Sequence, residues 1–198
     1  MDQVVIGVVG PMASGKGVFV QRISDLGYIP YSLSNIIRDT ADLLQLPHDR
    51  EILQDVGDLL RRHAGNAVLA ERTIGRILAS TDKYNVVESI RHPDEVYALR
   101  KVFGAKIIAV DASFEKRFEL INIRNRKGDP HSWEDFLIAA NRDLGIGQEE
   151  SGQRVRDCLR LADYTIGNEG TLDQFHSEIN KVLGVIGIEG QPKQAEKR

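Results

Sequence analysis

The sequence predicts a three-layer α/β fold with a five-stranded, mostly parallel sheet between helices, and three observations carry that prediction. Short apolar, β-branched runs alternate with longer stretches of helical period. The first run, Val4 to Val9, lacks the polar alternation of a half-exposed strand, as a strand buried on both faces should. Gly27, Gly104 and Gly184 follow helical stretches, where a left-handed residue closes a helix.

Taken in order, the strand Val4 to Val9 precedes a helix over Gly15 to Leu26, and Tyr28 to Tyr31 is the second strand. Three helices follow, over Ser34 to Leu46, Arg50 to His63 and Asn66 to Ser80. Asn85 to Ser89 is the third strand, Asp94 to Phe103 a helix, and Lys106 to Val110 the fourth strand. Helices over Ser113 to Asn125, Ser132 to Asp143 and Gln153 to Leu161 lead to a short last strand, Tyr164 to Gly167. A helix over Thr171 to Leu183 closes the body. Residues 125–152 are the least regular part, with the Gly128-Asp129-Pro130 turn and Gly145, Gly147 and Gly152 close together, and are expected to form a mobile cover.

A chain of 198 residues with 41% apolar content suits one domain, expected over 1–188, and the polar tail 189–198 has too little to bury and is expected to be disordered. Net charge is −3, with no basic excess, so a nucleic-acid partner is not expected and any anion site must be local. No apolar run approaches the roughly 20 residues of a membrane span, and the single cysteine, Cys158, excludes an intramolecular disulfide. A soluble cytoplasmic protein is expected, with Cys158 packed in a helix rather than acting as a nucleophile.

Gly10-Pro11-Met12-Ala13-Ser14-Gly15-Lys16-Gly17 follows the first strand and opens the first helix. Gly10, Gly15 and Lys16 have the G-x-x-x-x-G-K spacing of a P-loop, which aims backbone N–H groups and an ammonium at a phosphate chain over a helix N-terminus. Ala13, Ser14, Gly15, Lys16, Gly17 and Val18 are the expected phosphate contacts. Gly17 stands where most P-loops carry the hydroxyl that ligates Mg²⁺, which turns the reading away from switches and motors and toward small-molecule kinases. No Asn-Lys-x-Asp guanine motif is present.

From Val4 to about Phe175 the chain resembles the P-loop nucleoside monophosphate kinases, phage-type deoxynucleoside monophosphate kinases in particular. It is also similar to an archaeal kinase-like family related to dephospho-CoA kinase, and to the kinase-like N-terminal region of some deoxycytidylate deaminases. The resemblance implies a P-loop NTPase fold, with acceptor-binding helices over about 34–80, a lid over about 125–152, and transfer from ATP with Mg²⁺ to a small nucleotide. The best-fitting acceptor is a (deoxy)nucleoside monophosphate. Alternatives are a dephospho-CoA-kinase-like transfer to a ribose hydroxyl and a sensor that binds ATP without transfer.

Phosphoryl transfer rests on positioning and charge neutralisation, and 17 of the 26 basic residues are arginine. Ser34-Asn35-Ile36-Ile37-Arg38 opens the helix after the second strand, with Ser34 as its expected N-cap and Arg38 as the first choice for the acceptor phosphate. Leu53-Gln54-Asp55-Val56-Gly57-Asp58-Leu59-Leu60-Arg61-Arg62 is similar to a deoxynucleotide-kinase helix that approaches the acceptor, which implicates Arg61, with Arg62 as its competitor. In Val86-Val87-Glu88-Ser89-Ile90-Arg91-His92-Pro93-Asp94-Glu95 a strand ends in a carboxylate, an arginine follows three positions later, and Pro93 opens a helix. This is similar to the "Asp-x-x-Arg-x-Pro-x-Glu" segment of the same kinases. Arg91 is thereby expected on the acceptor phosphate, and Glu88 on an acceptor group or on the metal through water, with no direct protein ligand to the metal.

The resemblance also implies lid arginines that close over ATP and neutralise the transferring group, and Arg124, Arg126 and Arg142 are the expected ones. Trp133 and Phe136, at helical spacing, are expected to pack the lid helix rather than a base. Ala162 to Gly170 resembles the final strand and loop of many P-loop kinases, where the loop lies against adenine, which implies Asn168 and Gly170 as the base pocket.

Overall fold

A computed structural model describes residues 3–126 and 128–188; the tail expected to be disordered lies outside the described residues. The elements run β1 (Val4–Val9), α1 (Lys16–Asp25), β2 (Ile29–Ser32), α2 (Leu33–Leu43), α3 (Arg50–Ala64), α4 (Val68–Ala79) and β3 (Tyr84–Ile90). They continue as α5 (Pro93–Phe103), β4 (Lys106–Asp111), α6 (Phe114–Arg124), α7 (Trp133–Leu144), α8 (Val155–Arg160), β5 (Tyr164–Gly167) and α9 (Leu172–Val185). The strands form one sheet in the order β2-β3-β1-β4-β5, and every pairing is parallel, so the expected mostly parallel sheet is wholly so among the described residues.

Side-chain alternation along the strands builds the layers. Val5 and Val9 enter one core with Val87, Ile107 and Ala109, covered by Leu33 of α2, Leu69 and Ile77 of α4 and Leu99 of α5. Ile6 and Val8 enter the other with Val86, Ile108 and Val110, covered by Phe19 and Ile23 of α1 and by Phe175, Ile179 and Leu183 of α9. Burial on both faces is why these strands read as unbroken apolar runs. Cys158 is fully buried in the first core, as expected of a packed residue. A third, smaller cluster joins α6 to α7: Phe136 is fully buried beside Met12, and the Phe118 ring lies 5.3 Å from Trp133 and 5.4 Å from Phe136.

Helix ends follow local chemistry. Pro93 is the first residue of α5; His92 Nδ1 accepts the Asp94 N–H at 3.2 Å and Glu95 Oε2 accepts the His92 N–H at 3.1 Å, a capping box. Two expected ends are corrected. Ser32, not Ser34, occupies the N-cap of α2, because β2 runs straight into the helix. Gly184 lies inside α9, which continues to Val185, and the left-handed glycine there is Gly187, with φ 72°. Among the described residues no helix is long and apolar enough to cross a membrane.

Candidate active site

β1 lies at the centre of the sheet, and the chain leaves its carboxyl end through the Gly10–Gly17 turn into α1. Glycine is required at two points. A side chain on Gly10 would strike the Val110 carbonyl oxygen of β4, and Gly15 has φ 104° with its absent Cβ only 2.6 Å from Asn168 Nδ2. The first amides of α1, those of Lys16 and Gly17, precede the bonds that Val18 and Phe19 donate to the Gly15 carbonyl, an arrangement suited to an anion. Lys16 Nζ donates to the carbonyl oxygens of Gly10 and Pro11, both at 2.7 Å. Desolvation in the cleft, with the positive charge of Arg91 next in size, brings its pKa from 10.5 down to about 7.

The turn forms one wall of a cleft of about 1370 Å³ beyond the carboxyl ends of the strands, where ligands of open α/β sheets sit. Ala13, Ser14, Gly15, Lys16, Gly17 and Val18 all line it, while Gly10 supports the turn from behind. Asn168 lines it too, but its Nδ2 donates to the Ser14 carbonyl at 3.0 Å, so its amide braces the turn; Gly170 stands on the rim.

Ser34 and Arg38 of α2 reach the cleft, with Arg38 Nη1 donating to Asn35 Oδ1 at 3.3 Å. β3 carries one residue more than β1 between the pairs Gly7–Val87 and Val9–Ile90, and Ser89 takes the left-handed φ of 63° at that bulge. Bulges re-aim side chains, and here Glu88 and Arg91 both line the cleft. Arg91 bonds Asp143 and, at 3.4 Å, Gln153 Oε1. Burial, followed by repulsion from Arg50 and Arg61, holds its pKa down at about 10. Arg124 donates from Nε and Nη2 to both oxygens of Asp129, at 2.7 and 2.6 Å, and Arg126 lines the cleft beside it.

Two expected site arginines have their guanidinium groups engaged by carboxylates away from the open cleft. Arg61 touches the cleft wall, but it is fully buried, and its Nε and Nη2 donate to Glu95 Oε1 at 3.1 and 2.9 Å; its hydrogen-bonding edge is held by the core of the protein. Arg142 lies off the cleft: its Nη2 donates to Asp55 Oδ1 at 2.6 Å and Asp58 Oδ2 at 3.1 Å beside a separate hollow. Neighbouring helix residues point about 100° apart, so when Asp143 turns inward Arg142 turns away.

Two residues escaped the sequence reading. Arg50, the first residue of α3, lines the cleft with Nη1 at 3.3 Å from Met12 Sδ and Nη2 at 3.4 Å from Asp129 Oδ1. An arginine at a helix N-terminus opposes the helix dipole, a mismatch legible in sequence. Asp143 is buried and its Oδ2 accepts the Met12 N–H at 2.8 Å; a lone Arg-Asp pair at a helix end carries no comparable signal. The outcome is one cleft lined by Lys16, Arg38, Arg50, Arg91, Arg124 and Arg126 in a chain whose net charge is −3.

No protein-family model matches the chain. The structure is similar to a shikimate kinase from Bacteroides thetaiotaomicron (14% identity, TM-score 0.55, covering 93% of this chain and 98% of that one). It is also similar to a dephospho-CoA kinase from Campylobacter jejuni (15% identity, TM-score 0.52, 92% and 96%). These likenesses establish the P-loop kinase fold. In sequence, a UPF0200 protein from Hyperthermus butylicus is 32% identical over 188 residues, which are 95% of this chain and 97% of the relative. With that identity running through nearly the whole of both chains, the protein belongs to the UPF0200 family.

Proposed function

We propose that this protein is a kinase that carries ATP on the Gly10–Gly17 turn and passes the γ-phosphoryl group to a small acceptor already bearing phosphate, best matched by a (deoxy)nucleoside monophosphate. The observation that carries the reading is the meeting of a P-loop with Arg38, Arg50, Arg91, Arg124 and Arg126 in one cleft. Lys16 would release the Gly10 and Pro11 carbonyls and follow the β- and γ-phosphates. Arg38 and Arg91, with Arg50 in the place first given to Arg61, would hold the acceptor phosphate. Arg124 and Arg126 would neutralise the transferring group, whose charge spreads over its equatorial oxygens.

The residues fit the donor: glycines stand where a side chain would close the turn, and the turn's carbonyls already hold the ammonium. Mg²⁺, when bound, would offset the charge of the phosphates. Glu88 is the carboxylate to hold its water, since Gly17 offers no ligand and faces open space.

A second reading, transfer to a ribose hydroxyl, draws support from the same Glu88, whose charge is felt at both Lys16 and Arg91, and which could orient a hydroxyl or take its proton. The test is incubation with ATP, Mg²⁺ and a panel of monophosphates plus dephospho-CoA. A diphosphate product is expected, with Lys16→Ala slower by at least about a hundredfold and Glu88→Gln only mildly impaired. Phosphorylation of dephospho-CoA together with a dead Glu88→Gln would favour the hydroxyl reading. No phosphorylated acceptor, or full activity in Lys16→Ala, would refute the kinase reading.

A further inference from the structure

We propose that Asp143 is a positioning residue of this cleft, locking the phosphate turn and Arg91 into one spatial relation so that the two bound phosphates meet in line. The alignment half of this statement rests on the kinase reading above. Asp143 sits next to the last residue of α7 with its side chain only 2% exposed, and it is not part of the cleft wall. It therefore approaches both partners from behind. Oδ2 accepts the Met12 N–H of the phosphate turn at 2.8 Å, and Oδ1 takes Nη1 of Arg91.

Arg91 is fixed at its other points as well. Its backbone N–H donates to Glu95 Oε2 at 2.7 Å, its carbonyl accepts the Arg154 N–H at 2.7 Å, and Gln153 Oε1 lies 3.4 Å from the same Nη1. With Asp143 and Gln153 both on Nη1, the Nε and Nη2 donors carry no hydrogen bond among the described residues and form the edge suited to a phosphate. The charge of Asp143 matters beyond its geometry. Arg91 stands among Lys16, Arg50 and Arg61, and a carboxylate offsets that repulsion where a neutral amide would not.

An asparagine can still accept the Met12 N–H but cannot neutralise Arg91, whereas an alanine does neither, so the two substitutions separate the two contacts. The experiment measures ATP affinity by calorimetry, steady-state kinetics on whichever acceptor the panel identifies, and thermal midpoints, for the wild type, Asp143→Asn and Asp143→Ala. Asp143→Asn is expected to keep its ATP Kd within about threefold, and Asp143→Ala to lose about tenfold. In Asp143→Asn, kcat/KM for the acceptor falls by about a hundredfold, mainly in kcat. Unchanged acceptor kinetics in Asp143→Asn overturn the proposal. Equal losses of ATP affinity and acceptor turnover in both variants, tracking their thermal midpoints, overturn it as well, because they mark a merely structural residue. If the wild type phosphorylates no acceptor, the kinase reading falls, and ATP binding alone judges Asp143: a weaker Asp143→Ala beside an intact Asp143→Asn supports the lock, and equal affinities refute it. Should Asp143→Ala fail to fold, Asp143→Asn against the wild type decides.

Discussion

Glu95→Ala should unfold this protein far more readily than a single surface change would. Glu95 is wholly buried, and all its acceptor capacity is in use: Oε1 takes Nε and Nη2 of Arg61, and Oε2 takes the backbone N–H groups of Arg91 and His92. Alanine leaves the guanidinium of Arg61, itself 2% exposed, with only the long 3.4 Å contact to Asp58. Breaking one side of a buried pair costs about 3–5 kcal/mol. For a chain of this size about 4 kcal/mol lowers the thermal midpoint by roughly 8–16 °C. Urea unfolding followed by circular dichroism measures the loss directly. Arg61→Leu combined with Glu95→Leu should recover the part due to the unpaired guanidinium, since no buried charge then lacks a partner, while the Arg91 and His92 N–H groups still lose their acceptor. A loss under about 1 kcal/mol in Glu95→Ala would refute the assignment of Arg61 to the core and return it to the acceptor site.

Other consequences can be measured separately. Because the Lys16 ammonium in the open cleft has a pKa near 7 and phosphate favours its charged form, ATP binding above pH 7 takes up a proton. The ATP Kd should then rise with pH by up to about tenfold per unit; Lys16→Arg should flatten the dependence, and a flat wild-type profile sinks the idea. Burial, followed by the charge of Glu95, pushes the Cys158 thiol well above its usual range, so thiol reagents should label it only at the pace of unfolding, and rapid labelling of native protein would contradict this. Asn168→Ala removes the brace on the Ser14 carbonyl and should weaken ATP by roughly 5- to 30-fold, about 1–2 kcal/mol. Asn168→Asp should be worse, since two oxygens would then face each other; unchanged calorimetric affinity in both would return Asn168 to a base-facing role.

The parallel sheet, the element order and the glycine turn after β1 were legible in the chain because each is written locally. Unbroken apolar runs record burial on both faces, and the glycine spacing before Lys16 records a turn whose backbone admits no side chain. The Glu88 to Glu95 segment was legible as far as its strand end, its arginine and the Pro93 helix start. How each arginine's guanidinium is engaged was not. Arg61 and Arg124 are both helix arginines in sequence, yet Glu95, 34 residues away, holds one in the core, while Asp129 holds the other at the cleft. Arg142 and Asp143 differ by one position and by about 100° of helix rotation, and only the packing of α7 sets which of them meets Met12 and Arg91. Sequence alone determined the turn between β1 and α1, because backbone conformation and local spacing suffice for that. The tertiary structure decided which charges surround it, because a charged side chain's partner is chosen by distance in space and the chain records only distance along itself.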